Sequence, residues 1–145
     1  MGNYSDLLLR RCFAASTCLS ADVCAMHDPN YPSVLEKNNA AVAGGGIALL
    51  KYTGSRGKGG ASDASAELMG KIRNLFNKND VLWQVTELGK IDLGGGGTIS
   101  QYVANLNIDT LDCGVPLLSM HSPYEVASKL DIYMAYKGYK AFYGA

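Results

Sequence analysis

The sequence predicts an α/β fold, a mixed or largely parallel sheet flanked by helices, on three observations. Strand-like apolar segments alternate along the chain with segments of helical period. Glycine clusters at 44–46, 54–60 and 94–97 punctuate those segments, with no charged or Ser/Pro-rich linker between them. Hydrophobic residues are 48% of the 145 and charged residues 18%, which is enough apolar mass for a sizeable core and too little charge for a disordered chain.

The elements follow in order. Tyr4 to Cys18 mixes Leu7, Leu8, Leu9, Cys12 and Phe13 with Arg10 and Arg11 and reads as a short helix. Leu19 to Val23 is brief and apolar, a candidate buried strand. His27 to Pro32 is loop, because its two prolines break any regular element. Gly46 to Thr53 is a strand, and the glycine-rich stretch to Gly60 is a loop. A helix opens near Ser62 or Asp63, either of which can cap it, with Leu68, Ile72, Leu75 and Phe76 on one face. Asn77 to Asp80 ends it, and Val81 to Val85 is a strand rich in β-formers. Thr98 to Leu106 is a helix, and Thr110 to Leu118 is strand interrupted at Gly114 and Pro116. Ser122-Pro123-Tyr124-Glu125 has the form of a capping box opening a last amphipathic helix to the C-terminus.

Composition narrows the function. Thirteen basic and thirteen acidic residues give zero formal net charge, with only a local cluster at Lys51 to Lys58. A nucleic-acid partner is therefore not expected. No apolar run approaches the roughly 20 residues of a membrane span, and the start has no secretory or myristoylation pattern. The expected compartment is the cytoplasm, with no membrane partner. Cys12, Cys18, Cys24 and Cys113 form no CxxC pair, so they read as small hydrophobes rather than zinc-ribbon ligands.

The chemistry-bearing candidates are few. His121 follows an apolar strand, where ligands of open α/β sheets bind beyond the carboxyl ends of the strands. A neutral imidazole there suits a metal or a substrate, and a structural histidine is the plainer alternative. Asp22 interrupts an apolar segment, so its carboxylate needs a metal or hydrogen-bond donors from the next turn. The glycines 94–97 before Thr98 allow close backbone approach, and the helix start after them could take an anion. Neither glycine loop fits the dinucleotide or Walker A pattern.

Several segments in one order resemble a known family. They are Ser20-Ala21-Asp22-Val23, Asp28-Pro29-Asn30-Tyr31-Pro32, Glu36-Lys37-Asn38-Asn39-Ala40, Gly95-Gly96-Gly97-Thr98-Ile99 and Ser119-Met120-His121-Ser122. Together they resemble the aspartyl aminopeptidase and vacuolar aminopeptidase I family of dinuclear zinc exopeptidases, and Lys51 to Lys58 resembles its bacterial branch. The resemblance covers nearly the whole chain but only the final third of a family member. It implies that residues 1–145 are one partial metallopeptidase domain, the C-terminal portion of the catalytic domain. It further implies that Asp22 binds one zinc and His121 the other, and that Gly96, Gly97 and Thr98 line the substrate pocket. Cobalt and manganese suit similar ligands. The remaining ligands and the general base are expected upstream, so this chain carries no catalytic residue of its own and is expected to be inactive alone. Peptide substrates and homo-oligomers are the partners implied. The family often carries a histidine in the loop after the aspartate motif; here the residue three after Asp22 is Ala25, and the nearby histidine is His27. The alternative reading is a non-catalytic oligomerisation module.

Overall fold

A computed structural model describes residues 4–56, 59–90 and 92–145. The chain starts with α1 (Asp6–Ala14), whose cap Ser5 accepts a hydrogen bond from the Leu8 amide. Strands β1 (Thr17–Ser20), β2 (Cys24–Ala25), β3 (Ile47–Leu50), β4 (Tyr52–Ser55) and β5 (Gly59–Asp63) follow, then α2 (Ala66–Lys78). The second half runs β6 (Trp83–Val85), β7 (Gly95–Gly96), α3 (Ser100–Ala104), β8 (Asp109–Gly114), β9 (Pro116–Leu118), β10 (Val126–Ala127) and α4 (Lys129–Tyr143).

The principal sheet has the order β1-β8-β3-β6 and is mixed: β1 runs parallel to β8, β8 antiparallel to β3, and β3 parallel to β6. Alternation along β3 assigns its two faces. Ile47 and Leu49 join Leu111, Cys113, Leu68, Ile72, Phe76 and Ala135 in a core beneath α2 and α4. Ala48 and Leu50 turn the other way, into a smaller core with Cys24, Met26 and Ala41. Two small sheets, β10-β9-β2 and β5-β4-β7, extend the second side.

Polar anchors fix the long 37–46 connection. The Gln84 side chain accepts from the Val42 amide at 2.9 Å and donates to the Val42 and Gly46 carbonyls. Fully buried Asp131, in the first turn of α4, accepts from the Gly44 and Gly46 amides at 2.9 and 2.8 Å.

Four sequence expectations are corrected. The α2 helix opens at Ser65, whose hydroxyl takes the Leu68 amide, because Ser62 and Asp63 are committed to β5 opposite Thr53 and Tyr52. That pairing also makes strand of much of the expected 54–60 loop, of which Gly57 and Lys58 lie outside the described residues. The Ser122–Glu125 box does not open a helix: Val126 and Ala127 pair with Leu118 and Leu117, and α4 begins only after Ser128. Likewise the strand expected at Leu19 to Val23 sits earlier, at β1, leaving Asp22 in the connection to β2.

Candidate functional site

One cavity of about 340 Å³ is lined by Asp22, Gly96, Gly97, Thr98 and His121, residues up to about a hundred positions apart in the chain. Asp22 lies two residues beyond the carboxyl end of β1, and His121 three beyond the end of β9. Ligands gather at such strand ends in open α/β sheets. Both side chains belong to exposed residues at the rim, while Leu35 and Leu88 supply apolar wall.

Each segment has a local cause. The Asp22 backbone runs against the end of β8. A Cβ added at Gly114 would stand 1.2 Å from the Asp22 carbonyl oxygen, so only glycine admits this path. The Asp22 Oδ1 accepts from the Val23 amide at 2.8 Å, which leaves the other carboxylate oxygen free of any described partner. Gly95 has φ +100°, and its backbone pairs so closely with β4 that a Cβ would meet the Gly54 carbonyl oxygen at 2.1 Å.

Thr98 is tied down from beneath. Its hydroxyl donates to Asp112 Oδ2 at 2.8 Å, the Ser100 hydroxyl reaches the same oxygen at 2.6 Å, and all three residues are buried. Ser20 and Asp112 are register partners on β1 and β8, and Ser20 Oγ and Asp112 Oδ1 have no partner among the described residues. Sequence reading missed Asp112, and its only signal was a charged residue inside an apolar strand.

His121 sits in a turn with φ +68°, two residues after Ser119 at φ +59°. Its amide donates to Glu125 Oε1 at 2.6 Å. The Ser122 hydroxyl donates to the Tyr124 carbonyl at 2.5 Å and accepts the Tyr124 amide. His27 does not line the cavity; its amide bonds the Ala41 carbonyl at 2.7 Å.

Among the described residues no group of three or more His, Cys, Asp or Glu is placed to hold a metal ion. Burial, then Asp131 and Asp22, push the Cys24 thiol up to about 12. Asp22 and His121 offer hard oxygen and imidazole nitrogen, donors that suit zinc, and they are two donors where a catalytic zinc ordinarily takes about three from protein.

An open mixed α/β sheet thus carries a carboxylate and an imidazole at one strand-end cavity. Residues 2–143 match the family described as Aminopeptidase I zinc metalloprotease (M18), and the chain belongs to that family. It is 51% identical over 97% of its length to a probable M18 family aminopeptidase 1 of Clostridium acetobutylicum, covering 30% of that protein. The M18 aminopeptidase structure from Thermotoga maritima superposes with a TM-score of 0.91 at 42% identity, covering 96% of this chain and 31% of that one. The mApe1 dodecamer of S. cerevisiae gives a TM-score of 0.70 at 25% identity, covering 99% and 30%. The chain therefore spans about 30% of the length of the relatives it matches.

Proposed function

We propose that this chain supplies one part of a dinuclear zinc aminopeptidase centre, with Asp22 a ligand of one ion, His121 of the other, and Gly96, Gly97 and Thr98 lining the peptide pocket. The observation that carries the reading is that these five residues, scattered along the sequence, line a single cavity. Asp22 presents an anionic oxygen that compensates a dication, and His121 a neutral nitrogen. The glycines let substrate backbone approach closely, and Thr98, buried and anchored on Asp112, fixes the loop that meets it. Zinc, when bound, supplies Lewis-acid polarisation of a carbonyl and a water acidified toward neutral pH.

Two donors do not complete two metal sites, so the other ligands and the general base belong to the part of the family's length that this chain does not span. The isolated chain is then inactive. The cytoplasm fits its four free thiols, and cobalt or manganese could replace zinc at this donor set. The family's dodecameric yeast relative favours a homo-oligomer.

A second reading, an assembly module without catalysis, draws on α1, which has no buried residue and exposes Leu7 and Leu8. The deciding experiment measures zinc content and hydrolysis of acidic and neutral aminoacyl p-nitroanilides. It uses the chain alone, then the chain mixed with the complementary portion of the Clostridium relative. Activity on mixing that is lost with Asp22→Ala or His121→Ala supports the zinc reading. Activity of the chain alone refutes its inactivity, and no zinc and no activity in either sample favours the assembly module.

A further inference from the structure

We infer that Glu125 is a positioning residue for His121, holding the histidine's backbone in the left-handed conformation that aims its side chain at the cavity; this rests on the zinc reading above. Non-glycine residues at positive φ are uncommon, and they persist only where surrounding contacts over-determine them. Ser119 and His121 are both in that region, two residues apart, at φ +59° and +68°. The contact that holds the second of them is charge-assisted: the His121 amide donates to Glu125 Oε1 at 2.6 Å. The rest of the turn closes on itself, with the Ser122 amide on the Ser119 carbonyl at 3.0 Å and the Ser122 hydroxyl bridging the Tyr124 backbone.

The sequence Ser122-Pro123-Tyr124-Glu125 therefore has the chemistry of a capping box without a helix. Its glutamate reaches back to a backbone amide, and that amide belongs to the histidine. Glu125 sits one residue before β10, which pairs with β9, the strand that leads into the turn. Both ends of the turn are thereby pinned to one small sheet, and the carboxylate is the brace across it. Groups that orient a metal ligand from outside the coordination sphere typically change metal affinity ten- to hundred-fold when removed.

The test uses the ¹⁵N-labelled chain with Glu125→Ala, Glu125→Asp and Glu125→Gln. Two quantities are read: amide hydrogen exchange at His121 in the chain alone, and zinc affinity, by competition with a chromophoric chelator, of the chain mixed with the complementary portion of the Clostridium relative. Glutamine keeps an acceptor at the same reach, so its His121 exchange stays within about threefold of the parent. Alanine removes the acceptor and aspartate withdraws it by one methylene, so both raise the rate at least tenfold. Zinc affinity falls about ten- to hundred-fold in those two variants alone. Exchange from α4 amides stays unchanged throughout, which separates a local brace from general destabilisation; aspartate decides the matter if the alanine variant does not fold. Unchanged His121 exchange in Glu125→Asp, or loss in Glu125→Gln as large as in the other two, overturns the assignment. If the parent chain mixed with the complementary portion of the Clostridium relative binds no zinc, the zinc reading fails, and the exchange comparison still decides whether Glu125 braces the turn.

Discussion

Gly114→Ala is the most informative single substitution for the site. A β-carbon there would lie 1.2 Å from the Asp22 carbonyl oxygen, 2.4 Å from its carbonyl carbon and 3.2 Å from the Val23 nitrogen. Every one of these atoms is backbone, so no rotamer change relieves the overlap. An ordinary contact needs more than 3.4 Å to that oxygen, so the Asp22 peptide must retreat by about 2 Å. The retreat is resisted, because the Cys24 amide is bonded to the Val115 carbonyl at 3.1 Å just beyond. Overpacking of this kind costs typically 1–3 kcal/mol, and two unyielding backbones put this case near about 3 kcal/mol. For a chain of this size the midpoint should fall by about 6–12 °C. Gly70→Ala is the matched control: it is an exposed helix-interior glycine with nothing within 4 Å of the new carbon, and alanine there should stabilise by about 0.5–1 kcal/mol. Thermal denaturation of both variants by circular dichroism checks the pair. A Gly114→Ala midpoint within a degree of the parent would refute the packing argument.

Asp131→Ala removes the acceptor of the half-buried Gly44 and buried Gly46 amides and should cost about 3 kcal/mol, measured by urea unfolding. Glu87 has its pKa raised by burial first, then by Asp63, with Lys51 opposing. Its contribution to stability is therefore complete below the ordinary carboxylate range and is lost as pH rises through the raised value. Glu87→Gln should flatten that pH dependence and stabilise the neutral-pH protein by less than about 1 kcal/mol, since the group is half exposed. Alkylation by iodoacetamide at pH 8 should label exposed Cys12 first and leave Cys24 and Cys113 unmodified until the chain unfolds, because burial raises both thiols. Mass spectrometry of the native, alkylated chain reads this directly. The chain alone should self-associate, since among the described residues β1 has a neighbour on one side only and α1 exposes Leu7 and Leu8. A monodisperse monomer of 15.4 kDa by light scattering would count against it.

The long elements could be read because their periodicity is local. Leu68, Ile72 and Phe76 mark the inner face of α2, and β3 is apolar on both faces because it is covered on both. Asp22, His121 and the glycine–threonine loop were legible through the order of motifs along the chain, and the fold brings them to one cavity. Three features were not legible because distant pairing decided them. Ser62 is a good helix cap until β4 claims it, and Ser122 heads a good capping box until β9 pairs with Val126 and Ala127. Asp112 gives no local hint that its partners are Thr98 and Ser100, twelve to fourteen positions upstream.

Asp112 also shows what the second face of the sheet is for. The helix-side face of β8 carries Leu111 and Cys113 and belongs to the main core, whereas Thr110 and Asp112 point away from it. A buried carboxylate is costly unless hydrogen-bonded, and apolar residues of similar volume would often stabilise the sheet as well or better. Packing alone therefore does not account for Asp112. Its Oδ2 takes both hydroxyls of the loop that follows the glycines, and register puts it beside Ser20, two residues before Asp22. Its hydroxyl contacts thus hold the floor of the cavity to β8, whose parallel neighbour β1 leads to Asp22. The glycines on the same side act in the complementary way, Gly114 and Gly95 letting backbones approach where a side chain would hold them apart. The helix-facing half of the sheet supplies stability, and the opposite half spends polar groups and bare backbone on setting the positions of Asp22 and Thr98.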